Sequence, residues 1–241
     1  MVQKSNSFIL LLLLLVVSVT VNSQQNVTTF GIQFKPIFSS ELVNTGPQTN
    51  VEGDISFTLE QQFGYSFGMV IRKGLTKQLS LETGINFTQR NYQLSIFEDS
   101  TNFNGVSNFR YVIYEIPIKG MVYVQMGQQT YLNAAFGITL NFLPSNWSTF
   151  DTYFEHFSVK RSWIVPALLT NLGFEYRTQD KGYYYAGFSL QQPFTNITTA
   201  GVLFKIDQLE QERTFFDVAG NYLTFDLRYF FNEPPERRRR R

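Results

Sequence analysis

The chain contains no cysteine. That single absence excludes disulfides, thiol catalysis, cysteine metal sites and a lipoprotein anchor. Histidine is nearly absent too, with His156 the only one. An excess of one charge is also missing: 20 Lys and Arg stand against 19 Asp and Glu, with a pI near 7.8, so nucleic acid is not an expected partner. No phosphate loop, dinucleotide fingerprint or metal-spaced cluster occurs, and no cofactor is expected. Long apolar runs are confined to residues 8–17, behind Lys4. A helical span needs roughly 20 apolar residues, so helical membrane crossings are excluded beyond Gln24.

The apolar run, followed by Val21 and Ser23 before Gln24, reads as a secretory signal peptide over 1–23. An uncleaved anchor is the alternative, and the run is short for one. Residues 24–231 form the expected folded unit, and 232–241 form an Arg-rich tail ending in Arg237 to Arg241. The sequons at Asn26, Asn86, Asn146 and Asn196 read as chance in an Asn- and Thr-rich β protein, with Asn86 in mid-strand.

What is present is period-two alternation, repeated between turn-rich breaks. In the clearest segment, 55–72, Ile55, Phe57, Leu59, Phe63, Tyr65, Phe67, Met69 and Ile71 make one lipid-like face, interleaved with small and polar residues. The same grammar predicts strands near 30–40, 79–94, 110–124, 130–143, 163–177, 183–194 and 222–231. Pro117 falls on the inward face of the fourth and predicts a bulge there.

Connections at 73–78, 125–129 and 178–182 are short, whereas those near 41–54, 95–109, 144–162 and 195–221 are long. Strict alternation of short and long, with about eight strands, predicts a closed antiparallel transmembrane β-barrel with tight periplasmic turns and long extracellular loops. Tyr123, Tyr131, Tyr176, Tyr183 to Tyr185 and Tyr229 to Phe231 gather at the short-turn end, where an interfacial aromatic belt would lie. A soluble β-sandwich shares the alternation and is the competing fold.

The segments Gly31 to Lys35, Phe67 to Leu75, Leu81 to Phe87 and above all Tyr114-Glu-Ile-Pro-Ile-Lys119 resemble the PorT-like outer-membrane β-barrel family of Bacteroidota, over about residues 28–231. The resemblance implies an exported outer-membrane barrel in contact with outer-membrane lipids and lipopolysaccharide. The family's namesake is associated with gliding and type IX secretion, which implies envelope or secretion-system proteins as partners. The tail beyond Phe231 departs from the family pattern.

Two sets of residues could carry chemistry. Arg72, Glu82, Arg90, Glu115, Lys119, Glu175, Arg177, Asp226 and Arg228, with Lys35 and Glu60, fall on the inward face. In a narrow barrel they read as a pairing network that fills the lumen, with an ion path as the alternative. His156 and Ser158 lie two apart on one side of an extended segment, with Glu155 and Asp151 nearby, an arrangement similar to that of lipid A deacylases. The other reading is an exposed loop histidine. Acidic residues concentrate in the long loops, among them Glu98, Asp99 and Asp217, and suit either solvation or a cationic partner. The leading expectation is a non-enzymatic structural or binding barrel in the cell envelope; a narrow pore and a lipid hydrolase are the alternatives.

Overall fold

The computed structural model describes residues 27–232 except 77, 151–152, 179–180 and 206–210. The signal-peptide segment 1–23 and the arginine run 237–241 lie outside the described residues, as does Asp151. Thirteen strands, β1 (Thr28–Phe38), β2 (Gln48–Glu52), β3 (Ile55–Gly74), β4 (Leu79–Glu98), β5 (Phe103–Gln125), β6 (Thr130–Phe142), β7 (Trp147–Phe150), β8 (Phe154–Lys160), β9 (Ile164–Arg177), β10 (Tyr183–Pro193), β11 (Thr198–Lys205), β12 (Gln211–Val218) and β13 (Tyr222–Phe230), are joined by loops and one 3-10 turn at Glu41–Val43.

All pairings are antiparallel, and they run in a ring: β1 to β13, β10, β9, β6, β5, β4, β3 and back to β1. Ring strands alternate apolar outward and polar inward. Phe34, Met69, Phe136, Phe174 and Phe188 are exposed on the outer wall, while Ser66, Thr88, Asn133, Asn171 and Thr224 are buried on the inner one. Among the described residues no helix is long and apolar enough to cross a membrane.

Three strands outgrow the ring. β3 and β4 have 20 residues each and β5 has 23, against 9 to 14 for the other ring strands. About ten residues suffice for a tilted bilayer crossing, so roughly half of each long strand stands beyond the ring. In those extensions the alternation inverts. On β4 the inward residues Glu82, Asn86 and Arg90 give way to Tyr92, Leu94 and Ile96, while outward Leu81, Ile85 and Phe87 give way to Gln89, Asn91 and Gln93. On β5 the change comes between Ile113 and Glu115.

On β3 the inversion is made by the backbone. A register shift between Gln62 and Tyr65 sets Phe63 and Gly64 opposite Arg90 alone, a one-residue bulge that reverses the faces of everything before it. Ile55, Phe57 and Leu59, expected on the lipid-like face, are therefore turned inward and are at most 4% exposed. Glu60, expected inward, points out. No bulge forms at Pro117: Thr83↔Ile118 and Asn86↔Glu115 keep one register on either side of it. The Thr83 hydroxyl donates to the Pro117 carbonyl at 2.8 Å, which supplies a local partner where the ladder is interrupted.

The inverted faces need a cover, and the expected long loops supply it. Segment 95–109 is the continuation of the β4–β5 hairpin around a tight turn with Asn102 in the left-handed region. Segments 144–162 and 195–221 form a second antiparallel sheet of order β12-β11-β8-β7. Its inner face, including Phe154, Ala200, Val202, Phe204 and Phe216, packs on Phe57, Leu94, Ile96, Phe109 and Ile113 of the extensions in one apolar core. Asn50 on β2 donates to the Thr214 hydroxyl at 2.9 Å and the Phe215 carbonyl at 3.0 Å, tying the first sheet to the edge of the second. The result is a two-sheet dome over the end of the ring that bears the long connections.

Candidate functional site

The ring interior is filled in three layers. At the short-turn end, Arg177 is held in an aromatic cage, its guanidinium 4.0 Å from the Tyr131 ring centre, 5.1 Å from Tyr123 and 5.4 Å from Tyr183. Arg72 stacks on Phe230 at 3.9 Å. This corrects the aromatic belt expected there. Tyr123, Tyr131, Tyr185 and Phe230 face inward and are at most 7% exposed, whereas Tyr176, Tyr184 and Phe231 remain on the outer wall. Tyrosines on both faces of a strand end are indistinguishable by composition, and only parity separates them.

Above the cage lies a carboxylate-centred lattice. Glu82, 2% exposed, accepts from Arg72 at 2.9 Å, Lys119 at 2.7 Å and Arg228 at 2.9 Å. Glu175 accepts from Arg72 at 2.5 Å and Arg177 at 2.6 Å, and Asp226 from Arg228 at 2.5 Å. Asp226 also accepts from Ser189 at 2.6 Å and from Asn171 at 3.3 Å. Each of these three carboxylates thus meets fixed cations, as burial of charge requires. Asn86, one of the sequon residues, is buried here and accepts from Gln33 at 2.5 Å.

Two of the expected network members stand apart. Glu115 accepts from the Tyr222 hydroxyl at 2.5 Å, and Tyr222 links onward to Gln191 at 2.7 Å. Arg90 donates to Gln61 at 2.8 Å and to the Asn221 carbonyl at 3.1 Å, at the level where the polar interior meets the dome core.

The third layer is the dome core, and it contains the histidine. His156 and Ser158 share the inner face of β8 and are each 1% exposed. Ser158 Oγ lies 3.0 Å from His156 Nε2 and accepts from the Tyr111 hydroxyl at 2.7 Å, while the imidazole lies 4.2 Å from the Phe109 ring. Burial pushes the imidazole down to about 4, and holds the Tyr111 phenol above its ordinary value. The adjacency of His and Ser is real, but among the described residues no carboxylate completes a triad. Strand alternation turns Glu155 to the opposite face, where it pairs with Lys205 at 2.6 Å. Among the described residues His156 Nδ1 has no hydrogen-bond partner, and both side chains are buried. His156 is neither an exposed loop residue nor an oriented base.

Among the described residues no group of three or more His, Asp or Glu is arranged to hold a metal ion. The acidic residues instead act locally: Glu98 accepts from Thr101 in the β4–β5 turn, and Asp217 from Thr199 at 2.8 Å across β11 and β12.

No family model matches the chain, and no curated protein does. Among solved structures, the chain is similar to the crystal structure of the outer membrane protein OprG from Pseudomonas aeruginosa, with 11% sequence identity and a TM-score of 0.52, over 89% of this chain and 100% of that one. At that identity the likeness is one of fold: an antiparallel all-β protein of outer-membrane barrel type.

Proposed function

We propose that the chain is a closed, eight-stranded outer-membrane β-barrel that does not conduct and that serves as a membrane-anchored platform for its dome, in a structural or binding role in the cell envelope. The short turns then face the periplasm and the dome faces outward. The observation that carries this reading is the packing of the interior: an arginine in a tyrosine cage, then the Glu82 lattice, then a dome core of buried, mainly apolar side chains. Eight strands leave an interior only wide enough for side chains.

Export by the segment 1–23 and a periplasmic position for the tail 232–241 belong to the same proposal. So does membership of the PorT-like family, which rests on the residues quoted above. A role in secretion or gliding would follow only from partners, and co-purification of envelope proteins with the intact chain tests it. The outer-membrane lipids and lipopolysaccharide are the partners of the apolar belt.

Planar-bilayer recording with the refolded mature chain tests the central claim. A flat baseline at both polarities is expected. Reproducible single-channel steps would replace the platform reading with that of a narrow pore. An epitope inserted in the turn between Glu98 and Phe103 should be labelled by antibody on intact cells; labelling only after the outer membrane is opened would invert the orientation.

A further inference from the structure

The carboxylates of the ring interior are all engaged. Glu82 takes Arg72, Lys119 and Arg228; Glu175 takes Arg72 and Arg177; Asp226 takes Arg228; Glu115 takes the Tyr222 hydroxyl. Arg90 is left over. It is 1% exposed, and among the described residues it forms no ion pair. Its Nη2 is used by Gln61 and the Asn221 carbonyl, but its Nε and Nη1 have no acceptor, and neither does the neighbouring Gln61 Nε2 acting as donor. A guanidinium cannot shed its proton, and a lone buried cation is the costliest group a protein interior can hold.

The two side chains that carry these unused donors also line a cavity. A space of about 20 Å³ is lined by Arg90, Gln61, Thr45, Gly46, Gln48 and Gly220, between the β1–β2 connection and the β12–β13 connection, at the foot of the dome. A single water needs roughly 10–15 Å³ measured in this way, so the space suits one small occupant. Donors without acceptors, a positive charge without a counter-charge and a cavity that both side chains line share one complement.

We infer that Arg90 and Gln61 form a binding site for one small monovalent anion, a halide or the carboxylate of a formate-sized acid, accepted by Arg90 Nε and Nη1 and by Gln61 Nε2. The anion supplies the counter-charge that the fold omits and braces the two connections against the barrel rim. Anions the size of sulfate or gluconate do not fit. The site is independent of whether the barrel conducts.

Thermal unfolding of the mature chain in detergent, at constant ionic strength with gluconate replaced stepwise by chloride, bromide or formate, tests the inference. A saturable rise of roughly 5 °C at a hundredfold excess over Kd is expected, together with broadening of the chloride NMR line. Halide alone, or formate alone, raising the midpoint identifies which source fills the site. Gln61→Glu places an internal carboxylate where Gln61 already meets Arg90; it should fold, start from a higher midpoint in gluconate and lose the response to added anion. Arg90→Met should lose the response as well. A midpoint indifferent to all three anions means that water fills the cavity and overturns the inference. So does an undiminished response in Gln61→Glu, which assigns the effect to another part of the surface.

Discussion

Arg72 and Glu82 face each other across the β3–β4 hairpin, and the guanidinium donates from both Nε, at 3.1 Å, and Nη2, at 2.9 Å, to the same carboxylate oxygen. The other oxygen of Glu82 takes Lys119 and Arg228, from β5 and β13. One carboxylate therefore links four strands of the ring, including strands distant in the chain. Charge neutralised in this way stabilises little by its presence, but it destabilises strongly when one partner is removed.

Glu82→Gln is expected to leave three buried cations short of their shared counter-charge. The cost should be about 3–5 kcal/mol, read as a lower urea midpoint for the detergent-folded protein. Lys119→Met in the same chain should recover part of it, because it removes one uncompensated cation, giving a non-additive double-mutant cycle. Strict additivity would show that the two groups do not interact, whatever their 2.7 Å separation.

The dome should weaken on acidification through His156. The free imidazole titrates near 6.5 and the buried one at about 4, so between those values the unfolded state binds the extra proton. The stabilising contribution is complete above pH 6.5, declines as pH falls towards 4 and is gone below it. The full span is about 3 kcal/mol. Protection of the Val202 amide, taken as exchange corrected for its intrinsic pH dependence, should fall across that window in the native chain and not in His156→Phe; Val202 pairs with His156 in the β8–β11 ladder. An equal loss of protection in both would assign the effect to other groups.

Gly173 and Gly187 are directly paired on β9 and β10, and the Tyr185 phenol lies across both on its way to Asn171, to which it donates at 2.8 Å. A Cβ at Gly187 would come within 2.3 Å of the Tyr185 oxygen and 2.5 Å of the Leu172 carbonyl. Gly187→Val is therefore expected to displace the phenol and destabilise the barrel by about 1–3 kcal/mol. Ala186→Val, one residue along and facing outward, should change the urea midpoint by no more than about 0.5 kcal/mol equivalent. Similar effects from the two would mean that strand propensity and not interior volume is being measured.

The ring was legible in the sequence because alternation is local: each strand carries apolar and polar residues on opposite faces, and the short turns are marked by Gly and polar clusters. What alternation leaves open is the solvent of the apolar face. Phe67 and Phe57 sit on the same strand with the same parity, yet one is 50% exposed and the other fully buried. Barrel and sandwich stood as competing folds, and β3, β4 and β5 run through both the hydrogen-bonded ring and the packed pair of sheets above it. The sign of the change was present in β4, where apolar residues pass from odd positions at Leu81 and Phe87 to even positions at Leu94 and Ile96. In β3 it was hidden, because the bulge cancels the parity shift. The His156–Ser158 adjacency was readable from their spacing, but its burial depended on a second sheet assembled from segments some forty residues apart.

The bulge at Phe63 and Gly64 is the most direct handle on that stacking. It is closed by Asn91, whose side-chain amide donates to the Phe63 carbonyl at 2.8 Å. Deleting Gly64 removes the extra residue, so β3 can pair in one register from Ile55 to Gly74 with its other partners kept. Phe57 and Phe67 are then an odd number of positions apart, so Ile55, Phe57 and Leu59 stay inward and Phe67, Met69 and Ile71 stay outward without a bulge. The place opposite Arg90 passes to Phe63 alone, whose ring, now 57% exposed, must turn into the interior. That crowding should cost about 1–3 kcal/mol, read as a lower urea midpoint, while the dome core keeps its three residues. Heat-modifiable migration on gels and the parent chain's resistance to protease at β7–β8 and β11–β12 are expected to persist. Protease cutting there in the deletion variant would show that the bulge holds the dome by more than the facing of β3, because the deletion leaves that facing unchanged.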